Sequence, residues 1–335
     1  MRIAFVYDAR DDYLAEGYDP VDLAEFDVAV TIDGIAAALT RQGAQVDRIG
    51  RGQALARRLA AGQRWDLVFS IAEGLTGRSR EAQVPALCEM FDQPYVFSDP
   101  LTMAVTLDKA MAKRLVRDQG LPTARFRVLD CAKLAASVDL PFPLFVKPVA
   151  EGTGKGCAAA SVVQDRAELA KAAAELIQRY AQPVIAETYL PGREFTVAIL
   201  GNGAAAQVLG VLEIRIRPEL ADQVYSFDNK ENSEERVTYR LVTDAEAQQA
   251  GETALAAYRA LDCRDAARID MRSDGDQVPQ FLEVNPIAGL NPVHSDLPMI
   301  AGMAGHDFDW LIGQILTAAC NRLGLAQVRA MGSAA

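Results

Sequence analysis

Two short stretches of the chain hold the residues best suited to charge chemistry. Arg268-Ile269-Asp270 and Glu283-Val284-Asn285 each place two polar side chains at i and i+2, and on a strand those positions share one face. The intervening Ser273-Asp274-Gly275-Asp276-Gln277 is turn-like and permits an antiparallel hairpin. In matching register, Asp270, Glu283 and Asn285 converge as an all-oxygen site suited to Mg²⁺ bridging phosphates, while Ile269, Met271, Leu282 and Val284 face the core. A hairpin with a merely solvated polar face is the plainer alternative, but it leaves Glu-Val-Asn-Pro at 283–286 unexplained.

A second stretch, Glu151-Gly152-Thr153-Gly154-Lys155-Gly156, reads as a turn whose glycines let backbone N–H groups approach phosphate oxygens, with the Thr153 hydroxyl and the Lys155 charge as additional donors. It is not a Walker A loop, since Gly156 follows Lys155 where Ser or Thr is required. Alone it could be a flexible turn. Lys147 stands just upstream in the apolar run Leu144-Phe145-Val146, where an ammonium needs an anionic partner: a nucleotide phosphate or a structural carboxylate. Lys109 begins a charged helix. Glu187-Thr188-Tyr189-Leu190 can meet an adenine through its backbone and Leu190, and Glu194 can hold ribose hydroxyls; each is by itself compatible with a structural role.

The elements that position these groups alternate. Arg2 to Tyr7 and Leu67 to Ile71 read as buried strands, Val28 to Gln42 and Ala82 to Phe91 as helices, giving an α/β unit. It lacks G-x-G-x-x-G after its first strand, which argues against a dinucleotide site. A helix is expected over Asp108 to Gln119 and a strand over Pro143 to Pro148. Cys157 to Val163 reads as the returning strand of a hairpin. A helix led by Asp165 and Glu168 follows to Tyr180, then strands from Val184 to Ile214. A helix over Ala245 to Leu261, strands over Ala267 to Arg272 and Gln280 to Val284, and a helix over Phe308 to Leu323 complete the pattern.

The 335 residues carry a formal charge of −11, which disfavours nucleic acid and anionic membranes as partners. The five cysteines form no C-x-x-C pair and no apolar run approaches a membrane span, so a cytoplasmic protein is expected. With only His294 and His306, the chemistry falls to Lys, Arg, Asp and Glu.

Taken in order, the lysine helix, the K-P strand, the glycine loop, Glu187 to Leu190, Gly-Arg-Glu-Phe-Thr-Val at 192–197, Arg268-Ile-Asp and Glu283-Val-Asn-Pro resemble the D-alanine–D-alanine ligase branch of the ATP-grasp superfamily. The resemblance implies an ATP-grasp α/β fold behind a Rossmann-like N-terminal domain. The expected divisions are 1–107 (substrate), 108–186 (central, with the glycine loop) and 187–335 (C-terminal, with the metal site). It implies that Lys109, Lys147, Glu187, Leu190 and Glu194 contact ATP, that Lys230 meets the phosphates or a substrate carboxylate, and that Asp270, Glu283 and Asn285 hold two Mg²⁺ ions, with Mn²⁺ as a substitute. Arg268 and the N–H of Gly289 would stabilise an oxyanion, and Ser295 would bind the second substrate's carboxylate. Related ligases suggest a homodimer acting on small amino or carboxylic acids.

Departures from the family cluster in the amino-acid pocket. Glu73 stands where a histidine is usual, Glu231 where a tyrosine is common, and Asp296 where an apolar residue is usual; Glu25 is the nearest match to the acid that grips the first ammonium. The expected activity is formation of an amide through an acyl phosphate, with the glycine loop and the segment Arg217 to Arg236 as lids. The alternatives are a ligase of specialised metabolism using substrates other than D-alanine, and a nucleotide-binding regulator without turnover. A dehydrogenase is more distant.

Overall fold

A computed structural model describes residues 1–326 except Thr153, Ala158 and residues 217–236. Thr153, Lys230, Glu231 and the expected lid from Arg217 to Arg236 therefore lie outside the described residues.

The chain opens with a parallel three-stranded sheet in the order β2-β1-β3. Strand β1 (Arg2–Val6) is followed by the short helix α1 (Arg10–Ala15) and by α2 (Ala29–Arg41), β2 (Gln45–Gly50), α3 (Gly52–Ala60), β3 (Leu67–Ser70) and α4 (Gln83–Met90). β1 and β3 are apolar on both faces because both are covered. Phe5 and Phe69 pack towards α2, while Ala4, Val6 and Val68 pack with Leu55, Leu59 and Val84 of α3 and α4.

Helices α5 (Pro100–Leu107) and α6 (Lys109–Asp118) lead to a four-stranded sheet ordered β4-β7-β5-β6. It comprises β4 (Phe126–Leu129), β5 (Leu144–Pro148), β6 (Val162–Val163) and β7 (Val184–Thr188), with α7 (Arg166–Tyr180) against its face. Asp165 caps α7 by accepting from the Ala167 and Glu168 amides, and Glu168 accepts from the Gln164 amide. This is close to the reciprocal cap read from the sequence. The returning strand is shorter than expected. Among the described residues only Val162 and Val163 pair with β5, after a 3₁₀ turn at Ala159–Ser161, because the alanines before them offer little β-preference.

An antiparallel sheet ordered β10-β9-β8-β11-β12 follows, built from β8 (Glu194–Leu200), β9 (Gln207–Ile216), β10 (Val237–Leu241), β11 (Ala266–Ser273) and β12 (Pro279–Asn285). Helix α8 (Ala245–Ala260) covers one face, and α9 (Asp296–Met303) and α10 (Phe308–Leu323) the other. Ala198, Leu212, Ile300 and Ile315 share a core with Phe5, Ile35 and Phe69, so the first and last sheets are locked together. The register shifts between Asp270 and Met271, which makes Phe281, not Leu282, the partner of Met271. The bulge buries Phe281 and turns Leu282 away from the core, correcting the simple alternation expected there. Among the described residues no helix is long and apolar enough to cross a membrane.

Candidate active site

The hairpin β11–β12 sets the floor of a cleft between the two antiparallel sheets. Asp270 lies opposite Glu283 and Arg268 opposite Asn285, so the residues singled out by period two do converge. Asp270 accepts from Thr196 Oγ1 at 2.8 Å, from Arg268 Nη2 at 2.9 Å and from Asn285 Nδ2 at 3.3 Å. Arg268 also reaches Asp296 at 3.2 Å. Burial opposes its charge, but Asp270, Asp296 and Glu283 hold the guanidinium firmly protonated.

The cleft contains two adjoining cavities that share Lys109, Glu151 and Glu283 as their common wall. The first is lined by Lys147, Gly154 and Lys155 on one side and by Tyr189, Leu190, Glu194 and Asp270 on the other. Lys109 stands at the first turn of α6. Asp108 caps that turn by accepting from the Met111 amide at 3.0 Å, and Arg78 holds Asp108 at 2.7 Å. The Lys109 ammonium donates to the Glu151 carbonyl and lies 3.4 Å from Glu283.

Lys147 has a carboxylate partner inside the protein. Its Nζ is 3.0 Å from Glu187 Oε1, and Lys113, fully buried on α6, is 2.8 Å from Oε2. Burial disfavours the Glu187 charge, but the two ammonium groups outweigh it and bring its pKa to about 2. Burial lowers the Lys113 pKa, helped by the neighbouring Lys147. Of the two partners the sequence allows for Lys147, the structural carboxylate is present as Glu187, and the ammonium still lines the cavity wall. Lys113 had a readable signal in its i, i+4 spacing from Lys109, which puts both on one face of α6.

Arg272 and Leu282 were also missed. Arg272 Nη1 donates to Glu194 at 3.2 Å, the guanidinium lies 5.6 Å from the Tyr189 ring centroid, and its buried Nε has no hydrogen-bond partner among the described residues. An apolar slot of Phe145, Leu190 and Leu282, flanked by three lysines and this orphaned N–H, fits a flat base with an anionic tail. Gly156 is not part of the lining; it lies where a Cβ would come within 2.7 Å of Pro148.

The second cavity, of about 360 Å³, is lined by Glu25, Glu73, Gly152, Arg268, Asn285, Gly289, Ser295 and Asp296. A Cβ at Gly289 would meet Ser295 Oγ at 2.9 Å, so a side chain there would displace that hydroxyl. That hydroxyl accepts from the Asn291 amide at 3.0 Å, just before α9. Glu25 is fully engaged: it accepts from Arg80 Nη2 at 2.9 Å and from the Gly152 amide, with Lys155 3.5 Å away. Burial alone would raise the Glu25 pKa, but Arg80 and Lys155 lower it. It therefore ties the N-terminal unit to the glycine loop. Glu73 is presented by Gly74, whose amide donates to Asp8 at 2.9 Å. Asp27 and Glu81 line the same cavity and were not found in the sequence, because only the packing of three segments brings them beside Glu73.

For a divalent cation the donor set is two carboxylates, Asp270 and Glu283, and the Asn285 amide oxygen, all on one strand face. Among the described residues there is no group of three or more His, Cys, Asp or Glu side chains placed to hold a metal. The two carboxylates and the amide oxygen fit a hard ion that takes its other ligands from phosphate and water.

Four likenesses complete the picture. The family model described as D-ala D-ala ligase C-terminus matches residues 115–317. The uncharacterized protein y4sG of Sinorhizobium fredii is 35% identical over 263 residues, 76% of this chain and 75% of that protein. The D-alanine–D-alanine ligase of Bordetella petrii is 35% identical over 303 residues, 89% of each chain. In fold, the D-alanine–D-alanine ligase of Bacillus anthracis complexed with ATP superposes with a TM-score of 0.71 at 22% identity, over 96% of this chain and 98% of that one. The chain therefore belongs to the D-alanine–D-alanine ligase family and is an ATP-dependent ligase of the ATP-grasp fold.

Proposed function

We propose that the first cavity binds ATP and the second two amino-acid substrates, and that the carboxylate of one is phosphorylated and then attacked by the amine of the other. The observation that carries this reading is the shared wall of the two cavities: Lys109 and Glu283 face both, at the junction a phosphoryl group has to cross. Lys109, Lys147 and Lys155 would neutralise the phosphates, Leu190 and Tyr189 flank the base, and Glu194 takes the ribose. Asp270, Glu283 and Asn285 would hold two Mg²⁺ ions, which supply charge neutralisation during phosphoryl transfer.

In the second half-reaction Arg268 and the Gly289 N–H stabilise the oxyanion that forms as the amine attacks. Asp296 orients Arg268 by its ion pair. Ser295 would donate its hydroxyl proton to the second substrate's carboxylate while still accepting from the Asn291 amide. Excluding water protects the acyl phosphate, and the hydrogen bond from the Gly152 amide to Glu25 supports the glycine loop as part of the cover. D-alanine is named for the Bordetella petrii relative; here Glu73 and Asp296 bear on the choice. The family likeness also supports a cytoplasmic homodimer, which size measurement in solution checks. The test of the reading is ADP formation from a panel of D- and L-amino acids, with products identified by mass. ATP binding without ADP formation on any acid would favour a regulator instead.

A further inference from the structure

The second cavity is more acidic than its expected chemistry requires. Seven carboxyl groups line it against three cations. Four are answered within the protein: Glu25 by Arg80, Glu151 by Lys155, Asp296 by Arg268, and Glu283 by Lys109. The side chains of Asp27, Glu73 and Glu81 have no hydrogen-bond or ion-pair partner among the described residues, although Arg80 attracts Glu73 and Glu81 from beyond ion-pair distance. Glu81 is only 9% exposed and lines the cavity, so it is a buried carboxyl aimed at the space a substrate fills. Burying such a group unpaired is costly and is relieved by a cation brought from outside. A small neutral amino acid brings one ammonium, cancelled by its own carboxylate. It cannot answer three acids.

We propose that this cavity selects an amino acid with a second cationic group, a diamino or guanidino acid, whose distal cation is received by Glu73 and Glu81. The inference rests on the ligase reading, since it assigns the substrate class of the same site. Neighbouring charges support it. Burial raises the Glu73 pKa well above the usual carboxylate value, and Glu81 and Glu25 raise it further; a ligand cation reverses that repulsion.

The experiment is calorimetry of diaminopropionate, ornithine, lysine and arginine, in both stereochemical forms, against alanine and serine. Each is titrated into full-length protein with Mg²⁺ and a non-hydrolysable ATP analogue, and ADP formation from ATP is measured in parallel. Cationic acids are expected to bind at least roughly tenfold more tightly than alanine. Glu73→Gln and Glu81→Gln should each remove about tenfold of that preference, the effect of deleting one charge-assisted hydrogen bond. If alanine or serine binds as well as the cationic acids and supports ADP formation, the substrate class is wrong and the ligase reading stands. Selective binding of cationic acids without ADP formation from any of them would overturn the ligase reading and leave the pocket's specificity intact. No binding and no ADP would overturn both.

Discussion

Glu81→Gln should make the ligand-free protein more stable while weakening its grip on substrate. Burial raises the Glu81 pKa from 4.5 to about 7, against the pull of Arg80 and with help from Glu25. The sign follows from linkage: where the unfolded carboxyl has lost its proton and the folded one has kept it, stability falls as pH rises. The penalty is absent below about pH 4 and grows through the interval from 4.5 to about 7. At about pH 8 its full size is roughly 3 kcal/mol, at 1.36 kcal/mol per tenfold change in proton affinity. Because Glu73 and Glu25 share the same field, removing one charge lets the others relax, and a net gain of about 1–3 kcal/mol is expected. Glutamine keeps the shape of the protonated acid, so packing is unchanged. Urea unfolding of wild type and variant at about pH 5 and pH 8 checks this, since the gain should be several-fold larger at the higher pH. A gain that is absent, or equal at both pH values, would refute the idea that Glu81 is held in the cavity at a cost.

Other perturbations follow from the same geometry. Glu283→Gln should lower kcat by about a hundredfold or more with a smaller loss of ATP affinity, because charge neutralised at the phosphates counts most during transfer; single-turnover kinetics separate the two. Lys147→Ala should weaken ATP binding by about 1.5–3 kcal/mol in a folded protein, read by calorimetry. Glu187→Gln leaves Lys113 and Lys147 buried beside each other without their counter-ion, and should cost about 3–5 kcal/mol of stability in urea unfolding. Affinity for a cationic amino acid should rise with pH between about 6 and 8, because Glu81 titrates near 7 and Asp27, raised by burial and by Asp8, near 8. Calorimetry in buffers of differing ionisation heat should then show proton release on binding.

How much of this was legible in the sequence depended on how local each signal is. The Asp270–Glu283 pairing could be read because strand period two and a five-residue turn leave few registers. Leu282 could not be placed, because a bulge inserts one extra residue and no propensity marks it. β2 and α3 were overlooked, since Gln45–Gly50 is an edge strand with polar alternates and weak apolar character. Helix α6 looked merely charged; Lys113 is buried only because β7 and β12 pack over it. The acids Asp27, Glu73 and Glu81 are individually ordinary, and their shared cavity is a product of tertiary packing. The family motifs, by contrast, are ordered along the chain, so they could be read even where the sequence left a residue's partner open, as for Lys147.

The central claim is that ATP energy passes through an acyl phosphate made from a substrate carboxylate. Its most direct test follows oxygen: an amino acid found to sustain ADP formation is supplied with its carboxylate labelled by ¹⁸O, and the released phosphate is analysed by mass. Transfer of one labelled oxygen from carboxylate to phosphate, matched in amount to the amide formed, is the expected result. Phosphate without label, formed while the amide product accumulates, would contradict the mechanism.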